Sequence, residues 1–520
     1  MRSLLLCALL LATVPSFAQP AVGEVAFANS GKPEAQAAFL RGLGLLHNFE
    51  YPRAATAFQE AQAIDPSFAM AYWGEAMTHT HPIWFQQDAD AARAILQRLG
   101  ATPEERLAKA PTERERDYLR TLDVLYGAGT KNERDFLYAD AMAALHAKYP
   151  KDVDATAFYA LAILGTAHEG RDFNIYMRAA ALLEEVFPAN PRHPGVLHYL
   201  IHAYDDPVHA PLGMRAARVY GSVAPDAGHA LHMTSHIFIA LGMWDDVIDA
   251  NRRAIRVVNK QRSARGAPAA DCGHYPTWLH YGLLQKGQDH EARTALDACR
   301  ASALAEKFVA GQPGEQPQYR LIEYATMRAH QIASSGALPA SDTVTVPNGV
   351  SAPEAQFMFA YGDVLAAARR NDADALKAAA EQLRSLQKAA VAADAEGRAL
   401  NPTARISAEV MVQEAEALQL IVAGKRDDAL KILDAAAKAE GSMPIEFGPP
   451  VVPKPATELL ADQLLAAGRA AEAAAAYQQV LDRTPGRRPT LEGLLLAQKA
   501  SGQAEAAEKT AKKVVAPHVH

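Results

Sequence analysis

Small and apolar positions recur along the chain in a fixed scheme. GLGLLHNFEYPRAATAFQEAQAIDP carries Gly42, Ala54, Phe58, Ala61 and Pro66. Small residues at those offsets let two antiparallel helices approach closely, and the proline closes the second helix. AAGRAAEAAAAYQQVLDRTP repeats the scheme with Gly468, Ala473, Tyr477 and Pro485, and SGQAEAAEKTAKKV follows with Gly502 and Ala507. Gly468 and Gly502 stand 34 residues apart. VAGKRDDALKILDAAAKA (Gly424, Ala429, Leu433) and LGMWDDVIDANRRAI (Gly242, Trp244, Ala254) read alike. The pattern predicts helix pairs over nearly the whole chain, weakest across 100–150 and 305–335. A single pair cannot bury its apolar face, so about eight to ten units must stack in series.

This scheme resembles the tetratricopeptide repeat (TPR), a 34-residue helix-turn-helix unit. The resemblance implies an all-α fold, a right-handed α-solenoid superhelix of stacked pairs. Three stretches interrupt it. Residues 335–353 are rich in Pro, Gly, Ser and Thr and read as a linker between an N-terminal array, 34–334, and a C-terminal array, 354–514. Residues 259–273 read as a short insertion. Residues 441–458, GSMPIEFGPPVVPKPATE, read as a bridge that wraps the surface or crosses the concave face, because its prolines cannot continue a helix. A tail, 515–520, ends the chain.

Composition adds little beyond this. A hydrophobic share of 49% and a charged share of 21% are ordinary for a globular protein, and the net charge of −7 over 520 residues leaves no basic stripe for nucleic acid. The N-terminus changes the picture more. MRSLLLCALLLATVPSFAQPA has a charged start at Arg2, an apolar run from Leu4 to Val14 and a small-x-small site ending at Ala18. It reads as a signal peptide over 1–18, cleaved after Ala18, followed by a flexible segment over 19–33. The expected location is periplasmic or secreted, with no transmembrane segment. Cys272 and Cys299 then meet an oxidising compartment. In repeat register, one precedes a first helix and the other lies late in its antiparallel partner, so a disulfide is expected. The alternative is a Cys-x-His ligand pair, Cys272 with His274.

The candidate chemistry lies in the histidines. His198 and His232 are 34 residues apart, as are His202 and His236, and one repeat earlier stands His168. Residues 193–236 hold seven of the chain's 18 histidines, more than scattered surface residues would place there. His229, His232 and His236 share one helix face. The TPR frame turns the second, fifth, ninth, twelfth and thirteenth positions of a unit toward the concave groove. It therefore places His198, His202, His229, His232, His236 and Asp205 in that groove. The same count makes His168, Glu75, His274 and Tyr281 groove candidates, with Glu169 at the edge. Neighbouring first helices lie roughly 10 Å apart, so their imidazoles can converge.

Two His-x3-His clamps on successive helices suit one tetrahedral transition-metal site or a two-metal site, Zn, Cu or Fe, with Asp205 as a ligand or as the partner that fixes a tautomer. No Glu lies between the histidines, so the zincin protease motif is missing. No phosphate loop or GxSxG elbow occurs either. The leading expectation is a groove that binds a peptide, protein or small-molecule ligand with a bound metal. A metal-dependent hydrolase or oxygen-activating enzyme, with its site on repeats 194–260, is the alternative; Glu75, Glu169 and Asp205 are then the candidate general bases. A metal-free groove that captures an acidic ligand through imidazolium is a third. His47, His146, His290 and His330 read as ordinary core or surface residues.

AYWGEA, HPGVLHYLIHAYD, HALHMTSHIF-x3-G-x-W-x6-N and FGPPVVPKPATELL together resemble a group of exported bacterial TPR proteins. That resemblance implies the fold and a special His-bearing segment. The group commonly has Pro at the position of Thr234, a departure that bears only on helix entry. It supplies no catalytic residue and no substrate.

Overall fold

The computed structural model describes residues 21–305, 317–335, 352–395 and 402–515. The predicted signal peptide, most of the 335–353 linker and the tail from residue 516 lie outside them. Among the described residues there are 24 α-helices, each packed chiefly on the next in sequence, so the chain is an all-α solenoid of TPR-like helix pairs. The middle repeats keep the 34-residue period: Pro194–Tyr204 and Ala210–Val223 form one pair, and Gly228–Ala240 and Trp244–Ala264 the next.

Local chemistry explains where the helices start. In the stretch where the repeat pattern is weak, Thr102, Thr112 and Thr130 each cap a helix, and Glu105, Glu115 and Glu133 complete reciprocal capping boxes. The close approach foreseen at Gly42 is present: a Cβ there would meet the Phe58 ring at 2.9 Å. A two-residue hairpin, Thr80–His81 against Gln86–Gln87, is the one pair of strands among the described residues. The first part of the expected insertion is helical, because Trp244–Ala264 runs on past residue 259.

Two connections close the solenoid around its middle. The first is the N-terminal segment. The stretch 19–33, expected to be flexible, is packed from Ala21 onward, because Val22 and Phe27 bury apolar side chains and the Glu24 amide donates to the Arg192 carbonyl at 3.0 Å. The second is the Pro-rich bridge. It crosses the face of the middle repeats, placing Phe447 over His236 with ring centroids 4.9 Å apart. Beyond it the C-terminal repeats return to the same region. Trp244 Nε1 donates to the Gly486 carbonyl at 2.9 Å, and buried Arg487 joins Glu458 at 2.7 Å to the Tyr281 hydroxyl at 3.2 Å.

Gly448 is the hinge of this crossing. Its φ of +97° disfavours any side chain, and a Cβ there would lie 2.6 Å from the Trp278 ring. Gly448→Ala is expected to lift the bridge from Trp278 and cost about 1–3 kcal/mol. The check is a lower thermal midpoint with faster proteolysis within 441–458 than in wild type. An unchanged pattern would mean that the bridge is not held there.

Candidate metal centre

The repeat register brings most of the predicted residues together. His198 and His202 lie on Pro194–Tyr204, His229, His232 and His236 on Gly228–Ala240, and His274 begins His274–Gln285. Their rings form a closed circuit. Centroids are 4.9 Å apart for His198–His202, 5.5 Å for His202–His236 and 5.0 Å for His236–His232. The circuit closes through His232–His229 at 6.0 Å and His229–His198 at 5.0 Å. All five imidazoles are buried, the most exposed being His229 at 8%. His274 stands beside His232 at 4.6 Å and reaches solvent.

Hydrogen bonds on the outer side of the circuit set the tautomers. His198 Nδ1 donates to the His47 carbonyl at 2.6 Å, and His232 Nδ1 donates to Asn251 Oδ1 at 2.7 Å. His236 Nδ1 donates to Asp205 Oδ2 at 2.8 Å, and His202 Nδ1 lies 3.4 Å from the same oxygen. A neutral imidazole that donates through Nδ1 carries its lone pair on Nε2. The lone pairs of His198, His232 and His236 therefore turn inward. The Nε2 atoms of His198, His202 and His229 are buried without any hydrogen-bond partner. Each such atom costs about 1–3 kcal/mol if nothing fills the site.

Burial favours the neutral form of four of these rings. It lowers His198, His229 and His232 well below the usual imidazole range, with the neighbouring imidazoles adding to the effect. It lowers His236 to about 4, even though Asp205 pulls the other way. Burial would raise the Asp205 carboxyl, but Arg171 and the two imidazoles outweigh it and hold Asp205 below the usual carboxylate range. Arg171 bonds Asp205 directly and lies 3.4 Å from Asp206.

This geometry fits a metal. His198, His202 and His229 offer ring nitrogens within 4.8 Å of one another, and so do His232, His236 and His274. Two nitrogens bound at about 2.0–2.1 Å to a tetrahedral ion stand roughly 3.3 Å apart. The Nε2 atoms of His232 and His236 are 3.2 Å apart. Aromatic rings wall the centre: Phe49 lies 4.2 Å from His198, Trp278 stacks on His236 at 4.5 Å, and Phe447 covers His236 and His202.

Other predicted residues fall elsewhere. His168 is outside the centre, because its helix ends at Leu164 and the ring lies in the following turn, bonded to Asp135 at 2.9 Å. Glu75 is held by Gln59, Gln62 and Arg98, and Glu169 is exposed. Tyr281 shares a cleft of about 20 Å³ with Asp205 and Phe447 but points its hydroxyl to Arg487. Asp205 braces the imidazoles from behind. Cys272 and Cys299 are bonded, which leaves no thiolate for a Cys-x-His pair.

The sequence reading missed Arg171, Phe49, Trp278 and Phe447, which carry no local signal. Asn251 was visible as the asparagine closing HALHMTSHIF-x3-G-x-W-x6-N. His47 is a core residue as expected, bonded to Asp154 at 2.9 Å and Tyr199 at 3.0 Å, yet its carbonyl orients His198.

No family model matches the chain, and the comparison with curated proteins returns no relative. Among solved structures, yeast Tom70 is similar over 92% of this chain and 92% of its own at 12% identity, with a TM-score of 0.33. Cut9–Hcn1 of the APC/C is similar over 91% and 78% at 12% identity, with a TM-score of 0.33. The TPR domain of P58(IPK) is similar over 91% and 99% at 13% identity, with a TM-score of 0.21. At this level of likeness, function is read from the site itself.

Proposed function

We propose that this is an exported solenoid protein that holds a transition metal among its buried imidazoles and uses the surrounding face to bind a ligand or protein partner. The observation that carries the reading is the set of orphaned Nε2 atoms on His198, His202 and His229. All-nitrogen ligation suits zinc, copper or iron rather than magnesium or calcium. Inward lone pairs disfavour the alternative of an acidic ligand, since they would face a carboxylate with no proton to donate. The binding reading stands ahead of hydrolysis because no named general base is free at the centre. Glu75 and Asp205 are engaged by cations, and Glu169 faces solvent.

The test is metal analysis of untagged protein, followed by titration with zinc and with copper. Stoichiometric metal, or uptake at micromolar concentration or below, is expected. His202→Ala with His236→Ala is expected to abolish tight binding while helicity by circular dichroism persists. A chain that carries no metal and takes up neither ion would refute the reading.

A further inference from the structure

The imidazoles fall into two nests built by one rule. In the first, His198 and His202 stand one turn apart on Pro194–Tyr204, and His229 joins them from the first turn of the next repeat's helix. In the second, His232 and His236 stand one turn apart on Gly228–Ala240, and His274 joins them from the first turn of the helix after that. The solenoid thus makes the same three-nitrogen arrangement twice, one repeat apart. Within each nest the ligand atoms lie within 4.8 Å of one another.

We propose that the centre is binuclear, one metal ion in each nest. This rests on the metal-binding reading above and adds a second ion to it. Each nest has its own unanswered ring nitrogens. In the first they are three buried Nε2 atoms with no partner. In the second, His232 and His236 both donate through Nδ1, which leaves two Nε2 lone pairs facing each other at 3.2 Å. Two lone pairs at that distance repel unless a cation lies between them, and the spacing matches the edge of a tetrahedral ion, roughly 3.3 Å.

The nests are neighbours with a common brace. Asp205 Oδ2 accepts from His236 of the second nest and lies 3.4 Å from His202 Nδ1 of the first. Phe447 covers the seam, over His202 and His236. The two differ in access. The first is enclosed by buried residues, whereas His274 opens the second to solvent. The second ion therefore exchanges faster and keeps room for an exogenous ligand.

The experiment is metal stoichiometry of the full chain, with the tail histidines removed by His518→Ala and His520→Ala. Zinc and copper are each loaded alone and the excess is dialysed away. Two ions per chain are expected, released by a chelator in two phases. His274→Ala is expected to bind one ion and lose the fast phase, and His198→Ala to bind one and lose the slow phase. His274 is exposed, so its variant is expected to keep the fold, with circular dichroism as the check. One ion in the parent protein, unchanged by His274→Ala, overturns the binuclear proposal and leaves the single-metal reading standing. No ion overturns both.

Discussion

Metal-free protein moved from pH 7 to pH 5 is expected to lose a large part of its stability. His47 and His236 have their imidazoles lowered to about 4 by burial, and burial sets His198, His229 and His232 well below the usual value. Unfolded, all five would titrate near 6.5. Below that pH the unfolded chain takes up protons that the fold refuses, so stability is full above about 6.5 and falls as the pH falls toward about 4. Each such histidine contributes a slope of up to about 1.4 kcal/mol per pH unit. Even two of the five would cost about 3 kcal/mol per unit, against a usual margin on the order of 5–15 kcal/mol. Asp154 and Asp205 act in a different window. Their carboxyls are held below the usual range, so their contribution is lost only below the ordinary carboxylate pKa of about 4. Thermal midpoints in chelator at pH 7, 6 and 5 check this. A midpoint that does not move would show that the imidazoles are hydrated or charged in the fold. Metal-loaded protein should hold its midpoint to lower pH, because the ion occupies the lone pairs that protons would take.

What the sequence disclosed follows the range of the interactions. The 34-residue phase is a local property, repeated in each helix pair, and it placed His198, His202, His232 and His236 on facing helices. It also set His229 and His274 at matching starts of their helices. His168 obeyed the same arithmetic and failed, because Leu164 ends its helix before position 168 and the register no longer fixes a direction. The walls of the centre come from far along the chain. Phe49 follows the first helix, and Phe447 arrives on a bridge from the C-terminal array. The return of Arg487 and Gly486 to residues 244–285 depends on small rotations summed over many repeats, which no single motif encodes. Prolines in GSMPIEFGPPVVPKPATE announced a crossing; only the packed fold says that it crosses the histidines.

Asp205 is the residue whose loss should be felt furthest, because it holds two unlike partners at once. On one side it neutralises Arg171, whose side chain is 3% exposed, and on the other it accepts from His236 and lies beside His202. Asp205→Ala leaves Arg171 with Asp206 alone at 3.4 Å and is expected to cost about 3–5 kcal/mol, the usual penalty for breaking a buried pair. The same change frees His236 to turn or to shift its proton to Nε2, where it would block a metal. A fall in metal affinity of about 10–100-fold is expected. Asp205→Asn separates the two roles. An amide oxygen still accepts from Nδ1, so affinity should stay close to wild type once the side chain is correctly turned. The charge facing Arg171 is lost, so the stability cost should remain. Chemical denaturation and competitive chelator titration of both variants decide the matter. Equal affinity in Asp205→Ala and wild type would mean that the carboxylate serves the fold alone. Equal losses of affinity in Ala and Asn would mean that its charge, rather than its grip on the imidazole, tunes the centre.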